Sequence, residues 1–231
     1  GAFTNRYYAA GLQPRTAVGN PYGDGYYDDF NTAVGLDSAG RTQLHHKGKL
    51  VIGVENTPTV IFDLMQFLVI DLGGVVGQIG MGQHGTAFAH AGMRMGPAIC
   101  YEGLYGDFYG DFVRRGAQFM AIISNDGWWG DTPGYKHLFT ISRLRAIEHR
   151  RAIARSANTG MSGFISARGD IGETLGWEKR GVISAAVPLN SELTFYTRYG
   201  DYLGRIAEYL TLLCVLYYIA YRVKKKNYLV K

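Results

Sequence analysis

The chain has 231 residues, 47% of them hydrophobic, enough for one large domain with a sizeable core or two small ones. Its net charge of +5 is local: Arg222, Lys224, Lys225, Lys226 and Lys231 fall in the last ten residues with no acid among them, and subtracting these five from 24 basic residues leaves 19, equal to the 19 acidic ones. A neutral body of this kind excludes a nucleic-acid binder, whose basic residues would spread over a binding face, and 32 glycines, about twice ordinary usage, favour a turn-rich enzyme over a helical bundle.

Residues 1–30, rich in Tyr, Gly, Asn and Asp and without periodicity, read as loop. Residues 30–36 (FNTAVGL) and 42–54 predict strands joined by an Asp-Ser-Ala-Gly turn at 37–40. The apolar run at 60–70 (VIFDLMQFLVI) is a core element or a surface patch, and residues 73–92 are Gly-rich and irregular. A strand ending at Ala98–Cys100 then leads to a helix on which Leu104, Phe108 and Phe112 recur every four residues, with Arg114 and Arg115 at its end and Gly116 as cap. Residues 119–123 predict a second apolar strand. Residues 135–150 have helical spacing through Leu138, Ile141 and Leu144, and further strands are expected at 163–167 and 181–187. Alternation of strand and helix argues for α/β layering.

Residues 206–221 (IAEYLTLLCVLYYIAY) are almost uninterrupted apolar and aromatic sequence, broken by Glu208 and followed by the basic cluster. Tyrosines at 209, 217, 218 and 221 and lysines at one end predict a transmembrane helix with a cytoplasmic tail, which places the folded domain on the opposite side of the membrane. The run is slightly short of the roughly 20 residues that a bilayer core needs, so a buried amphipathic helix is the competing reading.

Cys214 lies in that helix, leaving Cys100 without a disulfide partner. A thiol where a strand hands over to a helix gains from oriented backbone N–H groups and becomes a candidate nucleophile; the competing reading is an inert buried cysteine. Such chemistry also needs a base and a cation or N–H pair for the developing oxyanion. His45, His46, His84, His90, His137 and His149 supply no recognisable protease context. Lys47, with Glu55 eight residues later, is the alternative, although on its own it reads as a solvated strand charge, as does Lys49. Ser124–Gly130 (SNDGWWG) follows a buried strand and suits the rim of a pocket through Asn125 and Trp128. The block from Arg145 to Arg151, leading into Arg155–Gly160, reads as a charge-paired helix and turn with a structural role.

The order and spacing of these blocks are more specific than any one of them. LHHKGKLVIGVE, then AICYE with Cys100 lying 53 residues after Lys47, then SNDGWWG with Asn125 25 residues further on, then RAIEHRRAIARSANTG, resembles the nitrilase superfamily and, within it, the apolipoprotein N-acyltransferases, over about residues 27–222. The resemblance implies an αββα sandwich (an α/β, α+β fold) facing the periplasm from the bacterial inner membrane, and a Glu-Lys-Cys triad. It implies Cys100 as nucleophile and Lys47 as oxyanion partner helped by the backbone N–H of Tyr101. Glu55, Tyr101 and Glu102 are implied as supporting active-site residues, and Asn125 and Trp128 as the pocket loop. The implied partners are a phospholipid acyl donor and the diacylglyceryl-cysteine at an apolipoprotein N-terminus, with no cofactor and no metal.

The domain layout expected from this is a nitrilase-like domain over 1–200, N-terminally incomplete, a transmembrane helix over 205–222 and a basic tail over 223–231. The family's general-base glutamate should precede the lysine, and no glutamate occurs before Glu55, so the resemblance places that base upstream of Gly1 and makes the chain catalytically incomplete. It also gives residues 60–70 a reading as a lid dipping into the membrane interface. The rivals are a carbon–nitrogen hydrolase acting on a small amide, which would not need the terminal helix, and a non-catalytic membrane-anchored binding domain.

Overall fold

The computed structural model describes residues 3–10, 27–37, 39–51, 55 and 79–229. Two sheets carry the domain. In the first, β1 (Phe3–Ala10), β2 (Tyr27–Leu36) and β3 (Thr42–His46) run antiparallel in sequence order, with Thr32 opposite His46. The second has six strands in sequence order: β4 (Phe88–His90), β5 (Met93–Ile99), β6 (Phe119–Ser124), β7 (Ile153–Ala157), β8 (Ser162–Ile165) and β9 (Ile171–Leu175). Its centre, β5–β6–β7, is parallel, and its edges are antiparallel.

Parallel neighbours need crossovers, and two helices supply them: α1 (Gly106–Arg114) between β5 and β6, and α2 (Pro133–His149) between β6 and β7. Side chains of β6 alternate because successive residues of a strand face opposite sides. Met120, Ile122 and Ser124 are buried, whereas Phe119, Ala121 and Ile123 are half-buried on the opposite face. Met120 and Ile122 pack with Tyr109, Phe112 and Val113 of α1 and Phe139 and Ala146 of α2 into the main core. The opposite face of the sheet borders a cavity of about 720 Å³, lined by Phe88, Met95, Phe119, Ile123 and Phe164 together with Gly35 and Leu36 of β2. The result is a mixed α/β sandwich of the nitrilase type.

The short helix α3 (Phe195–Tyr199) connects through Gly200 and Asp201 to α4 (Tyr202–Leu229). Within α4, Tyr202–Arg222 forms 21 residues of mean hydropathy 1.4, none of them buried, long and apolar enough to cross a membrane. The amphipathic core alternative for this segment is therefore not the arrangement observed.

Several sequence expectations need correction. Residues 3–10 form a strand rather than a loop: the sequence FTNRYYAA has no regular apolar alternation, and its backbone pairs with Tyr27 to Val34 of β2. Leu104 belongs to a 3₁₀ turn, Cys100–Leu104, and the helix starts only at Gly106. Strand β7 was not predicted, and residues 181–187 form no strand although they are apolar; the edge position is taken by β9. On α2 the buried stripe runs through Tyr135, Leu138, Phe139, Ser142, Arg145, Ala146 and His149, leaving Leu144 46% exposed. Residues 52–54, 60–70 and 73–78, with the lid reading, lie outside the described residues.

Candidate active site

Cys100 stands where β5 ends and the 3₁₀ turn begins, with φ of 46°. A left-handed backbone at a residue with a Cβ is strained, and a tight turn at a strand end projects the thiol from the sheet edge instead of returning it to the pleat. The thiol is half-buried. Ile99 lies opposite Ile123 in the parallel ladder, and Ser124 opposite Ala157, so the segments after β5, β6 and β7 leave the sheet at one edge. Carboxyl ends of neighbouring parallel strands are where open α/β sheets gather ligand-binding loops.

Lys47 follows β3 by one residue and is only 2% exposed, contrary to its reading as a solvated charge. Its Nζ donates to both carboxylate oxygens of Glu55, at 2.9 and 2.7 Å. Glu55 also accepts from Asn31 Nδ2 at 2.9 Å and from the Val51 N–H at 2.8 Å. Burial pushes this carboxyl up, but the Lys47 ammonium and these hydrogen bonds outweigh it and hold Glu55 below the usual carboxylate range. Glu55 is thus kept ionised as the counter-charge of a buried lysine, a poor arrangement for a general base. Asn31 also accepts the Lys47 N–H on its backbone carbonyl at 2.8 Å; nothing in its sequence context marked it.

Glu102 joins the two halves of the site. It is fully buried, and its carboxylate accepts the N–H of Ile99 at 2.6 Å, the N–H of Gly48 at 2.6 Å and His45 Nε2 at 3.1 Å. One carboxylate therefore ties the residue before Cys100 to the residue after Lys47. Close approach requires glycine at 48, where a Cβ would lie 2.3 Å from the Phe108 ring and 2.8 Å from the Gly82 carbonyl oxygen. Tyr101 packs edge-on against Tyr105, and Lys49 Nζ lies 5.3 Å above the rings of Tyr105 and Phe108, a half-buried cation on aromatic faces rather than a solvated charge.

The third motif, read from sequence as a pocket rim, is secured from below by Arg155, which was read as structural. Asp126, fully buried, receives both of its carboxylate contacts from Arg155 Nη2 at 3.0 Å and a hydrogen bond from Ser124 Oγ at 2.5 Å. Arg155 donates further to the Met161 carbonyl. Gly160 makes room: a Cβ there would fall 2.1 Å from Asp126 Oδ2. Above this pair Asn125 Oδ1 accepts from Asn158 Nδ2 at 2.7 Å and from the Gly127 N–H at 3.2 Å, and Trp128 is 55% exposed on the turn Gly127–Trp129. Among the described residues no hydrogen bond joins Asn125 or Trp128 to the Lys47–Glu55 pair; they follow β6 at the sheet edge where Cys100 follows β5. The inter-sheet cavity is not lined by Cys100, Lys47 or Glu55.

Of the six histidines, His149 has both nitrogens engaged, by Thr197 Oγ1 at 2.9 Å and the Gly106 carbonyl at 3.2 Å, and burial together with Arg145 lowers its pKa to about 3. It is a neutral structural imidazole. Among the described residues no group of three or more His, Cys, Asp or Glu side chains could hold a metal ion.

This architecture has known counterparts. The carbon-nitrogen hydrolase family model matches residues 5–193, and the chain belongs to that family. It is similar to the apolipoprotein N-acyltransferase of Chlorobaculum tepidum, with 36% identity over 181 residues, 76% of this chain and 34% of the relative. It is also similar to that of Verminephrobacter eiseniae, with 35% identity over 190 residues, 79% of this chain and 34% of the relative. The chain thus spans about a third of the length of these curated relatives. Among solved structures, a cysteine-to-alanine mutant of the Nesterenkonia AN1 amidase from the nitrilase superfamily superposes with a TM-score of 0.52 at 16% identity, over 77% of this chain and 62% of that one, a likeness of fold.

Proposed function

We propose that this chain contributes the nucleophile and the oxyanion residues to acyl transfer through a cysteine thioester, with Cys100 as nucleophile, Lys47 facing the developing oxyanion, and a membrane phospholipid as acyl donor. The observation that carries this reading is the Glu102 carboxylate, which holds the backbone on the amino side of Cys100 and the backbone on the carboxyl side of Lys47 in one buried hydrogen-bonded cluster. Sγ attacks the ester carbonyl carbon; the C–S bond forms, the ester C–O bond breaks, and the lysophospholipid alkoxide leaves with a proton. The amine of an N-terminal diacylglyceryl-cysteine then attacks the thioester carbonyl, forming the amide C–N bond as the C–S bond breaks and the thiol regains its proton. Lys47, already paired with Glu55 and desolvated, changes little in position as negative charge develops beside it, the condition under which a fixed cation is most effective. Tyr101 contributes its backbone N–H to the same oxygen, Glu55 and Glu102 hold the lysine and the turn, and Asn125 and Trp128 form the pocket rim.

Support for the lipid donor comes from the apolar helix α4 and from the relatives in sequence, both of which suit a domain held at the periplasmic face of an inner membrane. A second reading is carbon–nitrogen bond hydrolysis of a small amide by the same nucleophile, and the family match and the amidase fold favour it. The two differ in donor and acceptor, not in the thioester.

Incubating the full-length protein with phosphatidylethanolamine in detergent and measuring intact mass separates them. An added fatty-acyl mass, absent in Cys100→Ala and discharged by a lipopeptide amine, supports acyl transfer to lipoprotein. No adduct, with turnover of a small amide, moves the assignment to the hydrolase, and no adduct with no turnover leaves a binding domain.

A further inference from the structure

The segment between the catalytic domain and α4 has two unlike faces. On one, α3 is fastened to the domain: Thr197 is buried, its Oγ1 bonds His149 Nδ1 at 2.9 Å, and its carbonyl accepts from Arg114 Nη1 at 3.0 Å. Thr194 Oγ1 donates to the Glu148 carbonyl at 2.6 Å, and the Asp201 N–H donates to Asp107 Oδ1 at 3.0 Å. Asp107 and Arg114 belong to α1, and the carbonyl of Gly106, its first residue, accepts from His149 Nε2 at 3.2 Å.

The other face is apolar and uncovered by the described residues. Phe195 is 62% exposed, Tyr199 54% and Leu203 63%. The Phe195 ring sits 4.6 Å from that of Tyr199 and 5.1 Å from that of Tyr202, the first residue of α4, so the patch is continuous with the helix that reads as the membrane span. Three rings held together in water, on a helix whose opposite side is bolted down, expose apolar area that nothing in the domain requires.

We propose that this face, Phe195, Tyr199, Tyr202 and Leu203, is a seat in the headgroup layer of the bilayer, resting on the membrane reading of α4. The second tyrosine group, Tyr217, Tyr218 and Tyr221, stands at the far end of the span. From Tyr202 to Tyr221 the helix rises roughly 29 Å, close to the ~30 Å hydrocarbon thickness, so the two groups fall where amphipathic rings collect at membrane surfaces. Arg198 and Arg205 add positive charge at the depth of lipid phosphates, and Arg205 and Glu208, within the first turns of α4, have side chains long enough to reach that layer. The seat is rigidly connected to α1, which begins two residues after the Cys100 turn. It thereby sets the height of the nucleophile above the lipid surface, and this is what a donor that never leaves the bilayer requires.

The test places an environment-sensitive NBD fluorophore on single cysteines introduced as Phe195→Cys, Tyr199→Cys and Leu213→Cys. The protein is full-length with its other cysteines replaced, in vesicles of phosphatidylethanolamine and phosphatidylglycerol. Emission from 195 and 199 should be blue-shifted and quenched more by headgroup-linked than by mid-chain nitroxide lipids, with the order reversed at 213. Quenching of 195 and 199 by aqueous iodide alone, or by neither quencher, overturns the seat: the first places the face in water and the second under other protein. Failure of mid-chain lipid to quench the 213 probe overturns the membrane reading itself.

Discussion

The Glu102 carboxylate accepts the backbone N–H of Gly48 at 2.6 Å across 54 residues of chain, and the same group accepts the N–H of Ile99. Both donors are main-chain, so the carboxylate sets backbone positions rather than rotamers. Replacing Glu102 with Gln leaves one acceptor and sets an NH₂ against an N–H. Hydrogen bonds to a charged group contribute roughly 1.5–3 kcal/mol each, so Glu102→Gln should lower stability by about 2 kcal/mol or more and cut turnover with KM less affected. Urea unfolding together with steady-state kinetics checks this; unchanged stability would remove Glu102 from its tie role.

Asp126 and Arg155 form a buried, two-oxygen ion pair with a Ser124 hydroxyl added. Removing one partner leaves the other charge uncompensated, at a cost of about 3–5 kcal/mol. Asp126→Ala and Arg155→Ala should each show it, and the double variant should cost well below their sum. Additive losses in denaturant melts would mean that the pair does not act as a unit.

The positive φ of Cys100 predicts an unusual order of stabilities. Both Cys100→Ala and Cys100→Gly abolish the proposed thioester, but only glycine takes this backbone without penalty. The glycine variant should exceed the alanine variant by roughly 1 kcal/mol, against the usual preference, in thermal unfolding.

Acid should destabilise the domain in two windows. His149 is depressed to about 3 by burial and neighbouring arginines, so the unfolded chain takes up its proton near pH 6.5 and the folded one does not. Stability therefore falls as pH drops below about 6.5, by at most about 1.4 kcal/mol per unit, down to about pH 3. Glu55, held below its ordinary range, contributes fully above that range and loses its contribution as pH falls through its lowered value. The raised carboxyl of Glu148 acts in the opposite sense just above the ordinary carboxylate range, so the comparison that isolates the histidine is with His149→Gln. That variant should flatten the upper window, leaving the part due to His46, which burial also lowers, and keep the lower; an unchanged profile from pH 6.5 to 5 would contradict a neutral buried His149.

Local sequence was sufficient for much of the frame. The run ending at Ile99, the strand at 119–124, the α2 segment and the apolar stretch of α4 were legible because apolar spacing and flanking turn residues act within a few positions. The phase of α2 was not, since Arg145 and His149 are buried by partners on α1 and α3 while Leu144 faces out. Strand β1 escaped notice because its only strong signal is its ladder with β2.

The sequence by itself determined where the thiol stands, at the end of an apolar strand and before a turn, and that a lysine and an Asn-Asp loop follow one another in the order of a known family. Only the tertiary structure decided that Lys47 is buried on Glu55, that Glu102 joins the lysine and cysteine segments, and that Arg155 secures Asp126. A charged residue is left in water by every local rule, and its burial becomes favourable only when a partner from a distant part of the chain arrives with opposite charge and matching hydrogen bonds. Such partners, 8 to 57 residues apart here, leave no periodic trace along the chain.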